Sequence, residues 1–140
     1  MLNTIFIQRR VERIRGYYND LDELLTNRSS FSRKLFFFYA LERVIQLIVD
    51  ELIDINNHVI DARNFSVPDN FQSSFQVLAE HNVLPEELAL RLAPIVGLRN
   101  RLVHRYETID REMMVEIIEK EKNDIRAYTK AIEHLLDSGK

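Results

Sequence analysis

The sequence predicts an all-α protein, a four- to five-helix up-down bundle. Its 140 residues include only three glycines and three prolines, and apolar residues recur at helical spacing in four stretches. β architectures need many tight turns, and tight turns draw on glycine and proline. A chain of this length also fits one domain. We therefore expect a single helical domain spanning residues 1–140.

The first two helices are predicted from apolar residues that step by three and four positions. One stripe comprises Ile7, Val11, Ile14, Tyr18, Leu21 and Leu25, and the other comprises Phe38, Leu41, Ile45, Ile48, Leu52 and Ile55. Ser32 is a candidate N-cap for the second helix. The off-stripe aromatic residues Phe36, Phe37 and Tyr39 indicate that this helix is covered on more than one side. Core or dimer contact is favoured over base stacking for this aromatic cluster.

Turn-forming residues between Asn56 and Asn70 predict that the second helix has ended, and a short helix is expected over 71–80. Pro85, followed by two glutamates, indicates the start of the next helix. Its predicted apolar face comprises Leu88, Leu92, Ile95, Leu98 and Leu102, and Pro94 is expected to kink it.

The last helix is predicted to begin after Asp110, a good N-cap, and to end at Gly139. Its apolar residues are Met114, Ile118, Ile125, Tyr128, Ile132 and Leu135. Short loops between successive helices favour antiparallel neighbours, as in an up-down bundle.

Composition excludes several classes of protein. The absence of cysteine excludes disulfides, thiolate metal sites and cysteine nucleophiles. The apolar run 35–41 is far shorter than the roughly 20 residues of a membrane span. Arginines follow Ile5 to Ile7 too closely for a secretory signal. We expect a soluble cytoplasmic protein with no membrane contact. Its net charge of -3 means that any RNA contact requires a local basic patch.

Segment 97–106 supplies such a patch. It contains three arginines, an asparagine, a histidine and a tyrosine, and no carboxylate. On a helix, Arg99, Asn100 and His104 fall on one broad polar side, opposite the inward edge formed by Leu98 and Leu102.

The arrangement of Arg99, polar Asn100 and His104 resembles the signature of HEPN domains. The fuller string R-N-x-L-V-H-x-Y followed by an acidic residue is similar to the HepT-type branch. The resemblance covers nearly the whole chain. Similar segments are 40–46, 54–58, 75–78, 83–84 and the final helix.

This resemblance implies a metal-independent endoribonuclease toxin of a type VII-like toxin-antitoxin pair. It implies a homodimer whose two motifs face each other across a cleft, an RNA substrate and no cofactor. A cognate MntA-like nucleotidyltransferase antitoxin would neutralise the toxin by transferring AMP to the motif tyrosine. The resemblance makes His104 the catalytic acid or base, Arg99 the phosphate clamp, Asn100 its polar support and Tyr106 the AMPylation site.

The chemistry of the residues is consistent with these roles. RNA cleavage without a metal needs a base for the ribose 2′-hydroxyl, an acid for the leaving oxygen and a cation for the developing charge. Histidine serves as acid or base near neutral pH, and a dimer supplies two copies of His104. The planar guanidinium of Arg99 suits phosphate. Arg101 and Arg105 would add attraction for the RNA backbone.

Other interpretations remain open. The bundle could be a non-catalytic interaction or regulatory subunit of a nucleotidyltransferase. His104 could be a helix-end histidine and Tyr106 an amphipathic lid. Arg99 and Arg101 could form ion pairs with glutamates, and for Arg101 and Arg105 such surface pairing is at least as plausible as RNA contact. The candidate glutamate partners are Glu86, Glu87 and Glu112.

The remaining histidines and the N-terminal arginines are weaker candidates. His58 lies near Asp54 and Asp61, but no second histidine stands at ligand spacing, so a local capping role is favoured over a metal site. His81 and His134 are expected to be solvated. The arginine run is expected to form a solvated face or to border a dimer cleft; it comprises Arg9, Arg10, Arg13 and Arg15.

Overall fold

The computed structural model describes residues 1–104 and 110–138, and over these residues the chain forms five α-helices. They are α1 (Thr4–Thr26), α2 (Lys34–Ala62), α3 (Ser73–Glu80), α4 (Glu86–His104) and α5 (Arg111–Ser138), with a single 3-10 turn at Arg28–Ser30 between α1 and α2. The predicted all-α bundle is confirmed. None of the helices in this part of the chain combines the length and apolar character that a membrane crossing requires.

The core is built from the predicted apolar stripes. α2 lies at the centre and packs against α1, α3 and α4, while α5 packs against α1 and α4. All six stripe residues of α2 and all five of α4 are buried. In the outer helices, Tyr18, Leu25 and Leu135 are only partly buried. The three-and-four spacing therefore identified the inward faces correctly.

The predicted boundaries of α2 are wrong at both ends. The helix begins at Lys34, its N-cap is Arg33, and no side chain caps it within the described residues, so Ser32 is not the cap. At the other end, Asn56 and Asn57 lie inside the helix, which continues to Ala62. Asn56 is fully buried and its amide is bonded to other elements, so tertiary contacts override its weak helix propensity.

The observed starts of α3, α4 and α5 lie within two residues of those predicted, and the cap of α5 is confirmed in detail. Asp110 caps α5, because its carboxylate accepts hydrogen bonds from the backbone N–H groups of Glu112 and Met113. α4 begins directly after Pro85. α3 begins two residues later than expected, at Ser73.

The aromatic cluster at the start of α2 divides between core and surface. Phe37 and Phe38 are buried, whereas Phe36 and Tyr39 are 55% and 48% exposed. Of the three off-stripe residues, only Phe37 is buried. The expected cover on more than one side of the helix is therefore confirmed for Phe37 alone. The two exposed rings leave an aromatic surface at this end of the bundle.

Three arginines of α1 form ion pairs with neighbouring helices. Arg10 bonds Glu51 at 2.9 Å and Asp54 at 2.8 Å on α2. Arg13 reaches the same Glu51, and Arg15 pairs with Glu133 of α5. Contacts between helices of a single chain therefore account for Arg10, Arg13 and Arg15.

Candidate functional site

The motif lies near the C-terminal end of α4, where this helix packs against α2. Leu98 and Leu102 are buried as predicted, and Arg99 and Asn100 are half-buried beside them. His104 is the last residue of α4, one helical turn after Asn100. Of the other three predicted site residues, Arg101 lies on α4, whereas Arg105 and Tyr106 lie outside the described residues.

Arg99 is the most firmly positioned side chain of the motif. Its Nε donates to a carboxylate oxygen of Asp50 on α2 at 2.9 Å, and its Nη2 forms an ion pair with the same oxygen at 2.8 Å. Its Nη1 donates to the amide oxygen of Asn100 at 3.2 Å. A guanidinium has five N–H groups. Among contacts with the described residues, the two hydrogen bonds use one on Nε and one on Nη1, so Nη N–H groups remain for another acceptor.

The Asn100 side chain therefore contacts Arg99 directly. The amide oxygen faces the guanidinium, and the amide NH₂ remains as a donor. This contact brings two of the predicted site residues together. The role of Asn100 as polar support for the arginine stays a prediction.

Asp50 is a site residue that motif reasoning missed. It precedes the motif by 49 residues and lies on a different helix. A signal was available, because segment 97–106 contains arginines and no carboxylate, so a compensating acid has to come from elsewhere. Asp50 stands in the largely apolar stretch 44–53, where a carboxylate needs a partner.

Arg101 differs from Arg99 in its surroundings. It is exposed, and no carboxylate of residues 1–104 or 110–138 forms an ion pair with it. The glutamate pairing considered for Arg99 is wrong, since Asp50 is its partner, and Glu112 pairs with Arg28 instead.

A cavity of about 420 Å³ opens beside Asn100. It is bounded by the loop that joins α2 to α3, together with one residue from α2 and one from α4. Its lining residues are Asn57, Val67, Pro68, Asp69, Asn70, Phe71, Gln72 and Asn100. The cavity and the arginine site share Asn100.

The loop beside this cavity is held in place by local hydrogen bonds. Asn70 and Ser73 bond each other reciprocally, with backbone N–H groups donating to the side chains at 2.8 and 3.1 Å. Ser74 donates to the carbonyl of Phe71 at 2.6 Å. A β-carbon on Gly97 would lie 3.1 Å from the Gln72 amide nitrogen, so the missing side chain leaves room for the Gln72 side chain against α4.

A buried polar network ties the start of α3 to the core. Asn56 donates to the hydroxyl of Ser74 at 3.0 Å and accepts from the hydroxyl of Tyr128 at 2.6 Å. Burial raises the pKa of Tyr128 well above its usual value, so this hydroxyl stays protonated and remains a donor. The network joins α2, α3 and α5 behind the cavity.

The other histidines have structural surroundings. His58 accepts a hydrogen bond from the backbone N–H of Asn3 at 3.0 Å, so it contacts the start of α1 and does not cap its own helix. His81 is exposed, as expected, but its ring stacks on Phe65 at 3.7 Å. His134 is exposed on α5.

Known proteins resemble this chain along most of its length. The model of the Ribonuclease HepT-like family matches residues 7–132. A tRNA nuclease HepT of Aphanizomenon flos-aquae is 36% identical over 118 residues, covering 78% of this chain and 75% of that protein. An mRNA nuclease HepT of Shewanella oneidensis is 26% identical over 126 residues, covering 90% of each.

A solved structure shares the fold. The tri-AMPylated HEPN toxin of Shewanella oneidensis, in complex with an MNT antitoxin, superposes with a TM-score of 0.85 at 22% identity. The match covers 96% of this chain and 99% of that one. The resemblance to the HepT branch of HEPN domains is thereby confirmed, and the chain belongs to the Ribonuclease HepT-like family.

Proposed function

We propose that this protein is a metal-independent endoribonuclease toxin whose active site combines the motifs of two protomers. Ribonuclease activity is supported by membership of the family and by the relatives named tRNA and mRNA nucleases. The observation that carries the proposal is Arg99. Its guanidinium is held by Asp50 and Asn100 and keeps Nη N–H groups that no described residue occupies, which suits the two non-bridging oxygens of a phosphodiester.

The proposed reaction is attack of the ribose 2′-oxygen on the adjacent phosphorus. His104 of one protomer takes the 2′-hydroxyl proton, the new oxygen–phosphorus bond forms, and the bond to the 5′-oxygen breaks. His104 of the other protomer gives a proton to the departing 5′-oxygen. Arg99 offsets the charge that develops on the phosphorane oxygens. The products are a 2′,3′-cyclic phosphate and a 5′-hydroxyl end.

The exposed face of α2 supports the proposed homodimer. Phe36, Arg43 and Asp50 recur every seven residues along this helix, so they follow one face from the aromatic end towards Arg99. The apolar side chains exposed near the start of α2 and of α5 are Leu35, Phe36, Tyr39 and Met113. Clustered exposed apolar residues commonly mark an interface. Pairing across this face would bring the two Arg99 sites towards a shared cleft.

A nucleotidyltransferase antitoxin is the proposed partner. The related Shewanella oneidensis HEPN toxin is AMPylated and in complex with an MNT antitoxin. By analogy, we expect a cognate MntA-like enzyme to transfer AMP to Tyr106, two residues beyond His104. A bulky anionic group at that position would repel RNA phosphates from Arg99 and block the site.

The decisive experiment is RNA cleavage by purified protein in excess chelator. Wild type should cut labelled RNA and leave 2′,3′-cyclic phosphate ends, whereas His104→Ala should lose at least about 100-fold of the rate. His134→Ala is the matched control, since it removes an exposed histidine from α5 and should cut normally. RNA left intact by wild type would favour the regulatory-subunit interpretation.

A further inference from the structure

We propose that the cavity beside Asn100 binds an unpaired RNA base next to the scissile phosphate. This inference rests on the proposed ribonuclease function and adds a second recognition element to it. The cavity of about 420 Å³ falls within the range of about 300–1,000 Å³ that is usual for small-molecule sites. The RNA would then be held at two points, its phosphate at Arg99 and a neighbouring base in this cavity.

The lining of the cavity suits a nucleobase better than a phosphate. Four of its side chains are neutral amides, which carry both donors and acceptors, and none is an arginine or lysine. A base presents the same mixture along its edges. The amide residues are Asn57, Asn70, Gln72 and Asn100.

Phe71 supplies a surface on which a base can stack. This aromatic side chain is 47% exposed although it lines the cavity, and its neighbour Val67 is 88% exposed. Single-stranded RNA is commonly held by stacking of bases on such rings, since every base has a π-face. The exposed ring and the amides together offer contacts to the face and the edge of one base.

The cavity is organised before any ligand binds. The reciprocal bonds of Asn70 and Ser73 fix the loop, and the bond from Ser74 fixes the carbonyl of Phe71. Some amide donors remain available, because the bonds to Asn70 and Asn100 use their side-chain oxygens. A preformed site loses less conformational entropy on binding than a mobile loop does.

Asn100 connects the cavity to the proposed cleavage site. Its oxygen accepts from Arg99, and its side chain also lines the cavity. A phosphate bound at Arg99 therefore has an adjoining nucleotide within reach of the amide lining. This continuity favours RNA over an unrelated small molecule as the occupant.

Binding to short single-stranded RNA tests the inference without requiring cleavage. The His104→Ala protein is titrated with fluorescent oligonucleotides in which one base at a time is replaced by an abasic site. One abasic position should weaken binding at least about five-fold. Phe71→Ala should weaken binding of the intact oligonucleotide to a similar extent. In the Phe71→Ala protein, the abasic substitution at that position should cause no further loss of affinity, as expected for two groups in contact. Leu90→Ala, which removes an exposed apolar side chain of α4 outside the cavity, should leave both values unchanged.

Photo-crosslinking gives a direct location for the base. An oligonucleotide carrying 4-thiouridine at the sensitive position should crosslink to the tryptic fragment 64–91, which contains Phe71. The inference is overturned if no abasic position is sensitive, or if the sensitivity persists in Phe71→Ala. It is also overturned if Phe71→Ala changes the oligomeric state, which would assign the cavity to a protein contact. Cleavage by wild type is scored separately, so failure of base binding and failure of the ribonuclease proposal give different results.

Discussion

Asp50 and Arg99 join the middle of α2 to the C-terminal end of α4 through a hydrogen bond and an ion pair to one carboxylate oxygen, at 2.9 and 2.8 Å. The arginine side chain is 19% exposed and the aspartate 39%. The guanidinium therefore has a fixed edge towards the protein and an accessible edge. The proposed phosphate clamp depends on helix packing as much as on the motif itself.

Removing this carboxylate should slow RNA cleavage while leaving the fold intact. In Asp50→Ala the guanidinium loses two of its three observed anchors, and a displaced catalytic group can cost on the order of 100-fold in rate. Asp50→Asn keeps one acceptor and should lose about 10-fold. Single-turnover cleavage rates measure the effect.

Asp54→Asn is the control for this prediction. Asp54 lies one turn further along α2 and pairs with Arg10, so its loss breaks a salt bridge without touching Arg99. The free energies of unfolding of Asp50→Ala and Asp54→Asn should lie within about 1 kcal/mol of wild type, since partly exposed ion pairs contribute little to stability. Equal cleavage by Asp50→Ala and Asp54→Asn would contradict a positioning role for Asp50.

Arg99→Lys should inactivate the enzyme nearly as much as Arg99→Ala. An ammonium group cannot bond Asp50, Asn100 and a phosphate together in the planar arrangement that the guanidinium provides. We expect a loss of about 100-fold in the cleavage rate. Arg101→Lys keeps a charge at an exposed position and should cost less than about 3-fold. A loss of cleavage rate in Arg99→Lys as small as that in Arg101→Lys would mean that Arg99 acts only through its charge.

The sequence predicted the inward faces of the helices well because burial follows apolar spacing directly. It failed at Ser32, because α2 is capped one residue later, at Arg33, and at Asn56, where the outcome depends on contacts between distant elements. Asn56 favours a turn by composition, but Ser74 and Tyr128 satisfy its amide and keep it helical. A local pattern contains no information about those partners.

The same reason explains what was missed at the candidate site. Arg99 and Asn100 could be identified from spacing within one helix, and they do contact each other. Spacing could not place Asp50, Asn57 and Phe71 there, because they come near Arg99 and Asn100 only when α2 and its following loop pack against α4. For Asp50 the sequence indicated only that an acid from another segment was needed. The proposed roles of His104 and Tyr106 remain predictions.

Tyr106 should be the acceptor of AMP. Co-expression with a cognate nucleotidyltransferase should increase the mass of the protein by whole AMP units and abolish RNA cleavage. Tyr106→Phe should remove the mass increase, because phenylalanine lacks the hydroxyl nucleophile. Tyr39→Phe, which alters an exposed tyrosine of α2, should leave it unchanged. Persistent AMPylation of the Tyr106→Phe protein would place the modification on another residue.

Tyr128→Phe should destabilise the fold. The substitution removes the donor that contacts Asn56 at 2.6 Å and leaves a buried amide oxygen without that partner. Such a loss costs about 1–3 kcal/mol. Urea unfolding measures the change, and Tyr39→Phe serves as the exposed control with an expected change below about 0.5 kcal/mol. An unchanged midpoint for Tyr128→Phe would show that the network contributes little.

Glu121 of α5 should make stability depend on pH. Burial, together with hydrogen bonding and repulsion from Asp124, raises its pKa from 4.5 to about 7, although Lys120 and Arg91 partly oppose the shift. Between these values the folded protein keeps a proton that the unfolded chain releases. The free energy of unfolding should therefore fall as pH rises from 4.5 to about 7 and should level off above that pH.

Glu121→Gln should remove this fall because the amide stays neutral at every pH. The variant should exceed wild type by about 1–2 kcal/mol at a pH of about 8 and approach it in acid. One oxygen of Glu121 is buried without a partner among the described residues, so Glu121→Gln still leaves a buried polar atom unpaired there, and the gain stays below the full value of the pKa shift. Urea unfolding at several pH values measures the slope, with the exposed Glu119→Gln as control. Parallel pH profiles for wild type and Glu121→Gln would exclude Glu121 as the titrating group.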